Sequence, residues 1–303
     1  MQDKKIEISK IWQAIIWLNI SCLASGIMVN MVRHVSENLT SPEIIFFRNI
    51  FAFLMFIPII FYKGFAYFKT NRVKLHIFRS TTGVISMLAF FHAISKMNLS
   101  VVTALSFTAP IFTAILAYFI FGERMGPHRK IGLILGFMGM LIVIRPGFEG
   151  YSPISLLVLF SAVFWAISGI VIKTLLATEK PIVITFYMTF FMTFFSAPLA
   201  FMSWVEPSNE DLLWVLGIAV TSNILQYTLA KGLSMVDITF SIPIDFTRLV
   251  YTAIIAYFAF GEMLDIPAAV GSVIIIFGAV YSGYKERKSH KLNEIVQQRE
   301  QIL

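Results

Sequence analysis

The sequence predicts an all-α polytopic membrane protein: ten transmembrane helices arranged as two inverted five-helix repeats. Three observations predict it. First, the 303 residues are 57% hydrophobic and only 14% charged, with a mean hydropathy of +0.79. Soluble domains carry roughly 25% charged residues. Second, residues 113–123 read T-A-I-L-A-Y-F-I-F-G-E and residues 252–262 read T-A-I-I-A-Y-F-A-F-G-E, nine of eleven matching at an offset of 139. That offset also superposes Pro42 on Pro181, Phe47 on Phe186, Phe107 on Phe246, Thr108 on Thr247, Gly132 on Gly271 and Gly139 on Gly278. Third, Lys and Arg collect at alternate ends of successive apolar runs.

A membrane-spanning helix needs about 20 apolar residues. The first run, 11–32, follows Lys4, Lys5 and Lys10. It is too long for a signal-peptide core and no small-x-small site closes it, so it reads as a retained helix. The other spans fall at about 43–62, 75–95, 99–121, 129–145, 154–176, 182–204, 212–231, 238–260 and 266–284. Connections between them are short and leave no room for a soluble domain. The expected units are therefore 11–145 and 154–284, with a charged, Gln-rich tail at 285–303 that reads as a solvated cytoplasmic helix.

Charge fixes the expected orientation. With the N-terminus inside, Lys63, Lys69, Arg72, Lys74, Arg124, Arg129, Lys130, Lys180 and the tail's Lys285, Arg287, Lys288 and Lys291 are cytoplasmic. The opposite side receives Arg33, Lys96 and Arg145 together with the acidic Glu206, Glu210 and Asp211. The bias puts both termini in the cytoplasm, in a cytoplasmic membrane. Each half holds an odd number of spans, so the halves must be upside down relative to each other. The first Phe-Gly-Glu, 121–123, then lies at the cytoplasmic face and the second, 260–262, at the outer face. Inverted repeats are a mark of secondary transporters, which bind substrate between them.

The +7 net charge reads as basic flanks of cytoplasmic helix ends, not as a nucleic-acid surface. The chain has one cysteine, Cys22, no metal-spaced Cys/His cluster, no phosphate-binding glycine loop and no nucleophile elbow. Neither an enzyme nor a metal or cofactor site is expected.

The pattern resembles the ten-helix, EamA-domain branch of the drug/metabolite transporter superfamily. The residues that carry the resemblance are F-F-R at 46–48, T-A-P at 108–110, the A-Y-F-x-F-G-E endings of spans four and nine, and Gly132 and Gly136 in span five. The resemblance covers roughly 11–284 and implies a secondary transporter of small metabolites without an ATPase subunit. It does not imply a substrate.

Candidate binding residues are the polar side chains set inside the spans. Arg48 lies about five residues into span two, roughly 8 Å from the outer boundary. A guanidinium in hydrocarbon costs about 2.5–3.5 kcal/mol, so it should face protein or a water-filled cavity. Holding a carboxylate or phosphate is one role and a structural pair the plainer one. In span nine Ser241, Asp245, Arg248 and Thr252 are spaced 4, 3 and 4, a polar stripe on one helical face. Their repeat equivalents are Val102, Ser106, Ala109 and Thr113, so the charges belong to one half only. A self-neutralising Asp245–Arg248 pair that orients helices is the alternative. Pro110 and Pro243 each free a backbone carbonyl near the centre, which suits cavity-lining helices. Span eight adds Asn223, Gln226 and Tyr227, which helix–helix hydrogen bonding explains about as well. Trp165 and Ser168 of span six are further candidates, Trp165 for stacking on a planar solute or for packing. Glu123 and Glu262 read first as helix-end residues, with a gate or a repeat-locking hydrogen bond as the functional alternative. Gly132 and Gly136 read as a close-packing face, and His92 as an interfacial histidine.

Together these residues favour a zwitterion or organic anion: an amino acid, an amino-acid-derived metabolite such as S-adenosylmethionine, or a nucleotide-like solute. A proton or counter-substrate, the lipid bilayer and a monomeric or homodimeric state complete the expectation. Multidrug efflux is the alternative, but span one lacks the buried acid that mechanism needs. A non-transporting sensor or enzyme is the remaining one.

Overall fold

The computed structural model describes residues 2–97, 102, 105–144, 153–260 and 266–300. Arg145, Gly261 and Glu262, and most of the start of span four, lie outside the described residues. The described residues are helical and contain no strand. In chain order the helices are α1 (Gln2–Val35), α2 (Ser41–Leu54), α3 (Ile57–Lys63), α4 (Val73–Lys96), α5 (Ala109–Phe121) and α6 (Pro127–Ile144). Then follow α7 (Pro153–Leu175), α8 (Pro181–Met202), α9 (Asn209–Leu233), α10 (Ile238–Asp245), α11 (Thr247–Phe260) and α12 (Ile266–Glu300). Seven helical segments among the described residues are long and apolar enough to cross a membrane, with Ala109–Phe121 and Ala269–Ser282 as shorter apolar helices. The protein is a multi-pass membrane protein.

Two expected single spans are broken. Span two is α2 and α3, turning at Met55–Phe56, where Pro58 at the start of α3 has no N–H to offer the preceding turn. Span nine is α10 and α11, with Phe246 between them. Span four turns at Phe107–Thr108, the positions equivalent to Phe246 and Thr247. The two breaks share their hydroxyl geometry. Thr108 Oγ1 donates to the Leu105 carbonyl at 2.7 Å, and Thr247 Oγ1 to the Ile244 carbonyl at 2.7 Å. The prolines beside them are not equivalent: Pro110 opens α5, where an N–H is not needed, while Pro243 sits within α10.

Helix packing is symmetric under exchange of the two halves. The pair α1–α9 corresponds to α7–α4, α1–α11 to α7–α5, and α2–α9 to α8–α4; α2–α8 and α6–α12 map onto themselves. Lipid offers no hydrophobic drive for helices to associate, so close approach depends on small residues. On α6, a Cβ at Gly136 would lie 2.6 Å from Phe246 Cδ2, and one at Gly132 would lie 2.9 Å from Ser282 Cβ and 3.0 Å from Pro243 Cβ. Buried Val32, Ile44, Met188, Met192 and Ile218 form the core where α1, α2, α8 and α9 meet.

Candidate substrate cavity

Two adjoining chambers lie between α1, α4, α5, α7, α9 and the broken span nine. Ser25, Ala109, Trp165 and Arg248 line both. Ser241 and Asp245 face the first chamber with Arg248, and Ser106 and Thr252 face the second with it. The polar stripe therefore stays on the cavity wall across the break at Phe246.

Arg248 is held from two sides. Its Nη2 lies 3.4 Å from Asp245 Oδ2, a single long contact between side chains 18% and 35% exposed. Its guanidinium carbon lies 5.0 Å from the centroid of the Phe107 ring, within cation–π range. Phe107 in turn stacks on Phe246. Thr252 Oγ1 donates to the Arg248 carbonyl and Ser241 Oγ to the Ile238 carbonyl, so both hydroxyls are satisfied within their own helix. The wall nearby is small and polar: Ser21 donates to the Leu225 carbonyl, and the Cys22 thiol lies 3.6 Å from the Ile244 carbonyl.

The remaining candidates lie elsewhere. Arg48 is fully buried between helices, with Nη1 3.2 Å from Met87 Sδ and no carboxylate beside it among the described residues. Asn223 donates to the Ala52 carbonyl at 2.9 Å, tying α9 to the end of α2. Tyr227 meets Trp17 edge-on at 6.2 Å. Gln226 accepts a hydrogen bond from Arg79 Nη2 at 2.7 Å. Glu43 is buried and bonds the Thr40 N–H and hydroxyl and the Val205 N–H, so its carboxylate serves the start of α2 and not Arg48.

Sequence reasoning missed Arg79, which is 3% exposed on α4. The signal was available: the cost argument applied to Arg48 holds for any guanidinium in an apolar run. At the predicted cytoplasmic end of span nine it weighed a repeat-locking hydrogen bond for Glu123 but missed the rest of a network. Glu123 accepts from the Ile238 and Thr239 N–H groups and the Thr239 hydroxyl, capping α10 from the other half. Arg129 donates to Thr239 Oγ1 at 2.5 Å and pairs with Asp237 at 3.1 Å. Lys173 Nζ bonds the Leu233 and Val236 carbonyls.

Known proteins resemble this chain in sequence and in fold. The EamA-like transporter family matches at residues 12–145 and again at 152–284. An S-adenosylmethionine uptake transporter of Rickettsia prowazekii (strain Madrid E) is 30% identical over 275 residues, covering 91% of this chain and 94% of the relative. Its counterpart in Rickettsia felis is 30% identical over 273 residues, covering 90% and 93%. A riboflavin transporter of Brucella anthropi is 27% identical over 247 residues, covering 80% and 87%. A solved crystal structure matches with a TM-score of 0.77 at 15% identity, over 89% of this chain and 96% of the other, a likeness of fold.

Proposed function

The chain belongs to the EamA-like transporter family, and from that premise we propose that it carries S-adenosylmethionine inward across the cytoplasmic membrane by alternating access. Membership makes it a transporter of a small molecule and not an enzyme. The observation that carries the substrate reading is the convergence of Arg248, Asp245 and Trp165 on one cavity. S-adenosylmethionine presents an adenine ring, a sulfonium, an ammonium and a carboxylate. Trp165 offers the ring an aromatic face. Asp245 attracts the positive groups, and the planar fork of Arg248 suits the carboxylate. The relatives of this length that carry the same substrate name support the assignment.

In this reading ten helices form two inverted halves, 11–145 and 154–284, with both termini cytoplasmic and exchange or proton coupling driving the cycle. The symmetric packing pairs and the equivalent breaks at Phe107 and Phe246 support it. Such a frame takes up inward-open and outward-open states by swapping repeat conformations. Multidrug efflux through an acid in the first span finds no support, since Lys10–Val35 contains neither Asp nor Glu. Riboflavin would also stack on Trp165, but it gives the Asp245–Arg248 pair no amino-acid head to hold. Uptake of labelled S-adenosylmethionine by cells making the protein tests the proposal. Saturable uptake that unlabelled substrate competes with, riboflavin does not, and Arg248→Ala abolishes is expected. Uptake no higher than in control cells would overturn the substrate.

A further inference from the structure

Beside the central cavity, past Trp165, a smaller chamber opens between α4, α7, α8 and α9. Its polar side chains are Arg79, Gln226, Ser168 and Trp165; the rest of the wall is apolar, including Met87, Met188 and Met192. Arg79 is 3% exposed. Its Nη2 is bound to Gln226, a neutral acceptor, while its Nε has no hydrogen-bond partner among the described residues. Arg48 lies on the far side of Met87, 0% exposed, with Nε and Nη2 likewise unpartnered. Met87 is thus shared: it lines the chamber and touches the Arg48 guanidinium. His76, one turn before Arg79, is buried with both ring nitrogens unpartnered among the described residues, its ring tilted against Tyr187 at 4.6 Å.

Two buried positive charges without a carboxylate are an expensive arrangement. Removing the partner of a buried charge is strongly destabilising, because the remaining charge stays desolvated and uncompensated. Snorkelling does not relieve the cost, since both groups are enclosed by helices. A neutral amide on Arg79 satisfies one donor but supplies no charge. The chamber is smaller than either central one, and its donors converge from Arg79 with a serine hydroxyl nearby. We propose that this chamber binds a small monoanionic group, held by Arg79 and favoured by the field of Arg48. Guanidinium–anion hydrogen bonds are of the charge-assisted kind. The same chemistry is met by a free halide such as chloride or by the carboxylate of an amino-acid substrate. The free-ion source does not depend on which solute is transported, and the carboxylate source rests on the proposed substrate.

The test uses the purified full-length protein in detergent without S-adenosylmethionine. Its thermal melting is followed in gluconate with increasing chloride at constant ionic strength, and separately with increasing methionine. Saturable stabilisation of wild type is expected, by about 2–4 °C or more at saturation. A response to chloride identifies a free ion, and a response to methionine alone identifies a substrate carboxylate. The decisive variant is Gln226→Glu, which is nearly isosteric and gives Arg79 a carboxylate of its own. It should fold, melt above wild type in gluconate and lose the anion response. Arg79→Gln should lose it too. Identical wild-type melting in all conditions, or an undiminished response in Gln226→Glu, overturns the site.

Discussion

Phe107 and Phe246, equivalent residues 139 positions apart, stack on each other with ring centroids 5.3 Å apart and planes 15° from parallel. Both are buried, and both sit where their span changes from one helix to the next. Exchange of the halves maps this contact onto itself. Arg248 then breaks the equivalence, because its guanidinium rests on Phe107 while the residue equivalent to it is Ala109. The charge is thus on one side of a symmetric aromatic joint.

Gly136 tests that joint. A Cβ there would lie 2.6 Å from Phe246 Cδ2 and 2.8 Å from its Cγ. Neither ring nor helix can absorb such an overlap without moving, and overpacking typically costs about 1–3 kcal/mol. Gly136→Ala should therefore lower the melting temperature and displace Phe246 toward Phe107 and Arg248. Transport per folded molecule should fall as well. Melting and uptake equal to wild type would refute the contact.

Much of this was legible in the sequence, and the rest fails for identifiable reasons. The stripe Ser241, Asp245, Arg248 and Thr252 was readable because helical spacing alone puts the four on one face. Asn223 was not, because its amide is spent on the Ala52 carbonyl of another helix, and no spacing rule reports on that. The break at Met55–Phe56 hid inside an apolar run of sufficient length, although Pro58 hinted at it. Glu123 and Thr239 meet only because spans four and nine approach in space. Glu123 reads in sequence as a helix stop or a repeat-locking residue, and nothing in the sequence singles out Thr239 as its partner.

The Glu123 cap has a testable consequence. It gives the first N–H groups of α10 an acceptor from the other half, and cap removal typically costs about 0.5–2 kcal/mol. Glu123→Ala should loosen the closure at that end of span nine. In a Cys22→Ala background, a cysteine substituted for Ser241 should react faster with a thiol reagent when Glu123→Ala is added. An unchanged rate would leave the cap as local helix termination only.

The proposed topology makes opposite demands on two loops. Asn209 begins α9 and Asn71 precedes α4. With both termini cytoplasmic, a membrane-impermeant thiol reagent added outside whole cells should label Asn209→Cys and spare Asn71→Cys, each made in Cys22→Ala. The reverse pattern would sink the orientation.

Asp245 and Arg248 present the sharpest choice between binding and structure. Their contact is a single one at 3.4 Å, and both face the cavity. A pair that merely orients helices should behave as a unit. Loss of Asp245 alone would strand Arg248, at about 3–5 kcal/mol if it were fully desolvated. The 18% exposure of the Arg248 side chain makes the actual cost smaller. Neutralising both, as Asp245→Asn with Arg248→Gln, would then restore stability and transport together. The binding reading predicts otherwise: the double variant inserts and melts like wild type but does not transport, because the sites for the positive and negative groups of the substrate are both gone. Arg248→Lys should fold and transport poorly, since it keeps the charge but loses the planar fork and the stacking face toward Phe107. Uptake and melting measured on the same preparations separate the two readings. Normal uptake by the double variant would end the binding role and leave the pair as helix-orienting residues.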